Sequence, residues 1–185
     1  PQHLFFFAPD CYEKLGSFAQ MNPPIRDKSH NIGLWRGIEE KIVDVIGSDH
    51  APHTLEEKKK KYPNCPSGMT GVQTILPIML DFVSKGKLGL NDLVRLLCYN
   101  PAKIYNMKFK GEIKIGNDAD FSIVDLNKEF TITNKWIASK SSWTPYDGVK
   151  IKGFPVFTVV NGKIVMQDSQ ITSPPIGKPV LFNYD

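Results

Sequence analysis

The chain has 185 residues, 41% hydrophobic and 23% charged, with a net charge of +4. Those proportions fit a globular protein and exclude a disordered chain, a collagen and a coiled coil. Four of the lysines form one block, Lys58–Lys61, read as a solvated loop; a nucleic-acid surface needs a wider basic face with interleaved aromatics.

The chain opens Pro1-Gln2-His3-Leu4-Phe5-Phe6-Phe7, without Met, and reads as a start inside a domain. Residues 3–7 are expected to be the tail of a buried strand. Residues 12–21 carry a weak helical pattern, which Asn22-Pro23-Pro24-Ile25-Arg26 breaks. A helix is expected over 32–40, then a strand over Val43–Ser48. Glu56–Gly71 reads as a polar loop, long enough to suspect a function, and Glu56–Cys65 is expected to move during turnover.

A broad apolar face over 72–83 predicts a helix ending at Gly86. Asn91 is a candidate N-cap for a second helix through Tyr99, with Leu93, Val94, Leu96 and Leu97 inside. Asn100-Pro101 opens a third short helix. After Gly111, short alternating runs (Ile113, Ile115, Phe121, Ile123) suggest strands. Asn161-Gly162 between apolar runs signals a type I′ hairpin. Residues 1–110 are therefore read as α/β, 111–171 as mainly β, and 172–185 as an extended tail.

Cys11, Cys65 and Cys98 are widely spaced and include no CxxC, which argues against a zinc ribbon or a disulfide framework. A reduced, cytoplasmic setting is expected. Cys65 reads as the most exposed of the three. No run approaches the roughly 18 apolar residues of a membrane span. No secretory pattern opens the chain.

The most informative stretch is Gly47-Ser48-Asp49-His50-Ala51-Pro52-His53. It places a carboxylate and two imidazoles just past an apolar run, where barrel enzymes hold metal and substrate. Two readings of Asp49 stand: a metal or proton-partner carboxylate, since burying an acid is otherwise costly, or a turn residue. His53 is either a site residue or a surface histidine. His50 is read as ordering the turn rather than binding metal. His3 is either a core histidine or a ligand that converges with Asp49 on one zinc. Ser67-Gly68 is either a connector or a segment offering backbone groups to a ligand. No Walker loop, dinucleotide fingerprint or nucleophile elbow is present.

Gly47 through Lys58 resembles the signature of the class I dihydroorotases of the amidohydrolase superfamily. Pro1-Gln2-His3-Leu4 resembles that family's upstream motif and Asn22–Arg26 the segment between. Asn100–Ile104 resembles the superfamily's closing helix, and Gly111–Asp120 with Val160–Lys163 its flanking β-domain. The resemblance implies the C-terminal part of a (β/α)8 TIM-like barrel followed by a small β-sandwich. It implies a cofactor of one or two zinc ions. His3 and Asp49 would bind metal, with Asp49 also moving the proton. His53, Asn22, Ser67 and Gly68 would hold the substrate. The family's His-x-His pair, bridging carboxylate and fifth-strand histidine would lie before Pro1.

The implied reaction interconverts dihydroorotate and N-carbamoyl-aspartate in pyrimidine synthesis. The implied partners are that small-molecule substrate, a second copy in a homo-oligomer and aspartate transcarbamoylase, with no nucleic acid or membrane. Two rivals stand beside it: a hydantoinase or allantoinase, and a non-catalytic scaffold for the transcarbamoylase. A histidine suited to a substrate carboxylate, His53, argues against the first. The retained His3, Asp49 and His53 argue against the second.

Overall fold

Helices occupy the first part of the chain and strands the last, as the hydrophobic patterns require. The computed structural model describes residues 1–183; the last two residues of the expected tail, 184–185, lie outside the described residues. The chain divides into two units. The first comprises Pro1–Ile78 with Thr131–Ile151, the second Met79–Phe130 with Lys152 onward.

The first unit carries α1 (Gln2–Phe6), α2 (Cys11–Leu15) running into a 3₁₀ turn (Gly16–Ala19), α3 (Lys28–Glu39), α4 (Leu55–Lys58) and the start of α5 (Ile75–Ser84). Its core is aromatic. Phe7 stacks on Tyr146 at 5.1 Å, and Phe5 meets Trp35 edge-on at 5.0 Å. Met21, Ile25, Ile38, Ile46, Met69 and Trp143 are buried with them.

Two expected strands are absent here. The segment 3–7 begins as a helix, because Leu4 N–H donates to Pro1 O and Phe7 N–H to His3 O. Local bonds satisfy backbone groups that a phenylalanine-rich strand would need a neighbour to satisfy. Residues 43–48 are extended but form no ladder. Their only pairing among the described residues follows them, an isolated parallel bridge from His50 to Met69 with Ala51 N–H donating to Met69 O at 2.9 Å. Ile46 is buried while Asp44, two residues before it, is exposed, so the segment does not show the alternation of a half-buried strand.

In the second unit, α5 continues toward Ser84. It is followed by α6 (Leu90–Val94), a π-helical turn (Arg95–Tyr99) and α7 (Asn100–Ile104). The helix expected with Asn91 as N-cap instead starts two residues earlier, with Gly89 as its N-cap. Leu93 and Leu96 are buried, but Val94 is 49% exposed; the π turn changes which face points inward. Pro101 sits in the first turn of α7, where its missing N–H costs nothing.

The sheet is a meander of β1 (Phe121–Thr131), β2 (Lys150–Val160), β3 (Lys163–Gln167) and β4 (Gln170–Ile171), in that order. The β2–β3 hairpin closes Val160 against Lys163. Its two loop residues, Asn161 (φ 49°) and Gly162 (φ 77°), are both left-handed, as a type I′ turn requires. Ile113 and Ile115 were expected in strands; they lie outside the sheet and are exposed. Gly153 in β2 has φ 97°, and a Cβ there would sit 2.9 Å from Leu80 Cβ on α5, so only glycine allows that approach. The tail is held by Lys108 N–H donating to Leu181 O and Asn183 N–H to Asn106 O.

Candidate active site

Every residue singled out for chemistry lies in the first unit. His3 projects from α1 and is 2% exposed. Its Nε2 is buried and has no hydrogen-bond partner among the described residues. A buried imidazole nitrogen without a partner is an orphaned polar atom whose desolvation a ligand would offset. Burial pushes the His3 pKa down, and the nearby Asp49 carboxylate pushes back up.

Asp49 is exposed and adopts φ 46°. A left-handed aspartate is tolerated better than most residues, because its short polar chain bonds locally, but it still costs energy. Strain of this kind clusters at functional sites. The sequence pattern suggested an acid at the end of a buried strand; the structure instead puts Asp49 on a left-handed corner in electrostatic reach of His3.

A buried imidazole nitrogen without a partner and a carboxylate within electrostatic reach are donor types that a metal takes. Among the described residues no group of three or more His, Cys, Asp or Glu is placed to hold a metal ion.

His50 faces elsewhere. Its Nδ1 accepts from Gly71 N–H at 3.0 Å, with Val72 N–H at 3.4 Å. It braces the turn against the chain entering α5. Gly71 is fitted as tightly from the other side, where a Cβ would lie 2.3 Å from Ser48 O and 2.8 Å from Gln2 Nε2. Gly71→Ala is therefore expected to destabilise the protein by about 2–3 kcal/mol through overpacking. Urea denaturation checks this; an unchanged midpoint would show that Ser48 yields.

His53, Ser67 and Gly68 form a second cluster. His53 Nε2 lies 3.1 Å from Ser67 O, and the His53 carbonyl accepts from Trp143 Nε1 at 2.7 Å. His53 Nδ1 is 3.8 Å from Glu57 Oε2. Glu57 closes a capping box with Thr54 at the start of α4, and the Thr54 N–H holds its carboxyl below the usual range. Gly68 leaves room for the His53 ring: a Cβ would fall 2.4 Å from Ala51 O and 2.7 Å from His53 Cδ2. Asn22 is exposed, and the Asn22–Pro23 peptide is cis. Gln20 O, two residues before Asn22, accepts Gly68 N–H at 3.0 Å.

Two expectations about this region are corrected. Lys58 is not part of a solvated block; it is 0% exposed, because the single turn of α4 carries it inward while Lys59–Lys61 stay outside. Cys65 is 2% exposed, and Cys98 is the exposed thiol. These anchors pin both ends of the suspected mobile loop, which leaves 59–64 as its exposed part.

Lys58, Gln20 and Trp143 are structural partners that sequence reasoning missed. A lysine inside a lysine run carries no visible signal. A tryptophan in the polar stretch Ser141-Ser142-Trp143-Thr144 did offer one.

Dihydroorotase from Pyrococcus furiosus is 40% identical over 181 residues, 98% of this chain and 42% of the relative. Dihydroorotase from Methanothermobacter thermautotrophicus is 35% identical over 171 residues, 92% of this chain and 39% of the relative. The chain thus spans about two-fifths of the length of these curated relatives. Among solved structures, L-hydantoinase (dihydropyrimidinase) from Arthrobacter aurescens superposes with a TM-score of 0.88 at 34% identity, covering 93% of this chain and 39% of that one. Dihydropyrimidinase from Brevibacillus agri superposes at 0.85 and 24% identity, over 92% and 39%, which speaks for the fold alone. The mixed α/β fold is that of a portion of the amidohydrolase barrel, as expected. The amidohydrolase family model matches residues 26–165. The chain belongs to the amidohydrolase family.

Proposed function

We propose that the full-length protein is a zinc-dependent cyclic amidohydrolase, and specifically a dihydroorotase. The observation that carries this reading is the pairing of a buried His3 Nε2 that has no partner with the left-handed Asp49. The likeness to dihydroorotases supports the choice of substrate. On this reading residues 1–110 belong to the barrel and 111–171 to a β-sandwich domain.

His3 and Asp49 would hold the zinc. When bound, zinc lowers the pKa of water and polarises the amide carbonyl. Asp49 takes the proton from the attacking water and delivers it to the leaving ring nitrogen. His53 orients the substrate carboxylate by releasing its Nε2 proton from the Ser67 carbonyl, and Asn22 with the Ser67–Gly68 backbone holds the ring. The reverse reaction closes N-carbamoyl-aspartate to dihydroorotate, a step of pyrimidine synthesis in the cytoplasm. Self-association and association with aspartate transcarbamoylase belong to the same reading, and size-exclusion chromatography of the two proteins together tests both.

A second reading, a hydantoinase, is favoured by the likeness to L-hydantoinase. The deciding experiment offers dihydroorotate and hydantoin to the full-length protein, before and after chelation. Dihydroorotate opening is expected, lost by about a hundredfold or more on chelation and restored by zinc. Opening of hydantoin alone would establish the second reading. A protein that keeps full activity after complete metal removal would refute both.

A further inference from the structure

Lys58 makes no ion pair with a carboxylate among the described residues, and burial pulls its pKa down while the Cys65 side chain pushes it up. Its Nζ donates to Gln20 O and to Pro66 O, each at 3.0 Å, and lies 5.7 Å from the centroid of the Trp143 ring. The Cys65 side chain touches the same group. Burying an ammonium is costly unless its protons find acceptors, and here two carbonyls and a π face replace water.

Those two carbonyls belong to the two segments already placed at the substrate. Gln20 O also accepts Gly68 N–H, and Gln20 Nε2 donates to Cys65 O at 2.7 Å. Lys58 therefore sits at the crossing of an arm leading to Asn22 and an arm leading to Ser67 and Gly68. The Pro66 carbonyl is one end of the Pro66–Ser67 peptide, whose other end is the Ser67 N–H. A cation on the oxygen withdraws electron density through the amide and makes that N–H a stronger donor. Ser67 is exposed, and no protein acceptor is recorded for its N–H among the described residues.

We infer that Lys58 is a positioning residue for substrate specificity, whose buried ammonium ties the two substrate arms together and primes the Ser67 N–H for an anionic ring substrate. The inference rests on the reading of the site as a dihydroorotase. It explains why a lysine is kept where packing alone would favour an apolar chain.

The test uses the full-length zinc-loaded protein and Lys58→Met, which keeps chain length and removes the charge. KM for dihydroorotate is expected to rise about tenfold, while kcat changes less than about threefold. A folded Lys58→Met protein with unchanged KM overturns the inference, as does a loss confined to kcat. A second measurement needs only the wild type. Hydrogen exchange at Ser67 N–H is expected to slow about tenfold on saturation with N-carbamoyl-aspartate, because the ligand supplies the missing acceptor. Unchanged exchange overturns the inference even if the variant fails to fold. A wild type that turns over neither compound refutes the dihydroorotase reading itself, and this inference with it.

Discussion

Asp49→Ala in the full-length protein is expected to lower kcat for dihydroorotate by about a thousandfold, the scale of a lost general acid–base. Two effects are mixed in that substitution. Alanine removes the carboxylate, and it also leaves a φ of 46° to a residue that tolerates it less well. Asp49→Asn separates them, because asparagine accepts the left-handed corner and keeps the side-chain shape. Asn is expected to be as inactive as Ala yet closer to wild type in thermal stability. Zinc content, read by elemental analysis beside the kinetics, divides the loss between metal binding and proton transfer. An Asn variant retaining a tenth of the activity would remove Asp49 from the chemistry.

Trp143→Ala carries the largest expected stability change, about 3–5 kcal/mol. The side chain is 2% exposed and meets Phe18 edge-on at 5.1 Å. Its backbone oxygen accepts from Thr70 Oγ1 at 2.8 Å, its indole N–H donates to the His53 carbonyl, and its ring faces Lys58. Truncation opens a cavity and orphans a carbonyl next to the site. Trp143→Phe keeps the ring and loses the N–H, so it is expected to cost less, about 1–2 kcal/mol. Urea denaturation followed by circular dichroism reads both. Equal losses for Ala and Phe would assign the effect to the hydrogen bond rather than to packing.

Parts of this structure were legible because their signal is local. Asn161-Gly162 specifies its own left-handed turn, and Pro101 its own place in a first helical turn. The apolar face of α5 follows from spacing alone. The misread parts depend on what lies next to them in space. Residues 43–48 have strand composition, but a ladder needs a neighbour, and Met69 supplies only one bridge. Residues 2–6 satisfied their backbone by turning helical. Lys58 looks like its three neighbours in the sequence, and only the turn of α4 distinguishes it.

The same division holds for the site. Asp49 and His53 were visible as residue types in a tight spacing, and His3 as a histidine that could converge with Asp49. That His3 Nε2 is buried without a partner depends on what packs around it, and no pattern of residues announces it.

The left-handed corner at Asp49 also bears on how such a protein changes over generations. The backbone there accepts Asp, Asn or Gly with little complaint. Each Asp codon is one nucleotide away from an Asn codon and from a Gly codon. On the proposed chemistry, both neighbours keep the fold and silence the reaction. Folding therefore places no barrier against the commonest inactivating changes at this position, and only selection on turnover holds the carboxylate in place. A lineage that kept the protein for its surfaces alone would be expected to lose Asp49 early, while the rest of the architecture persisted.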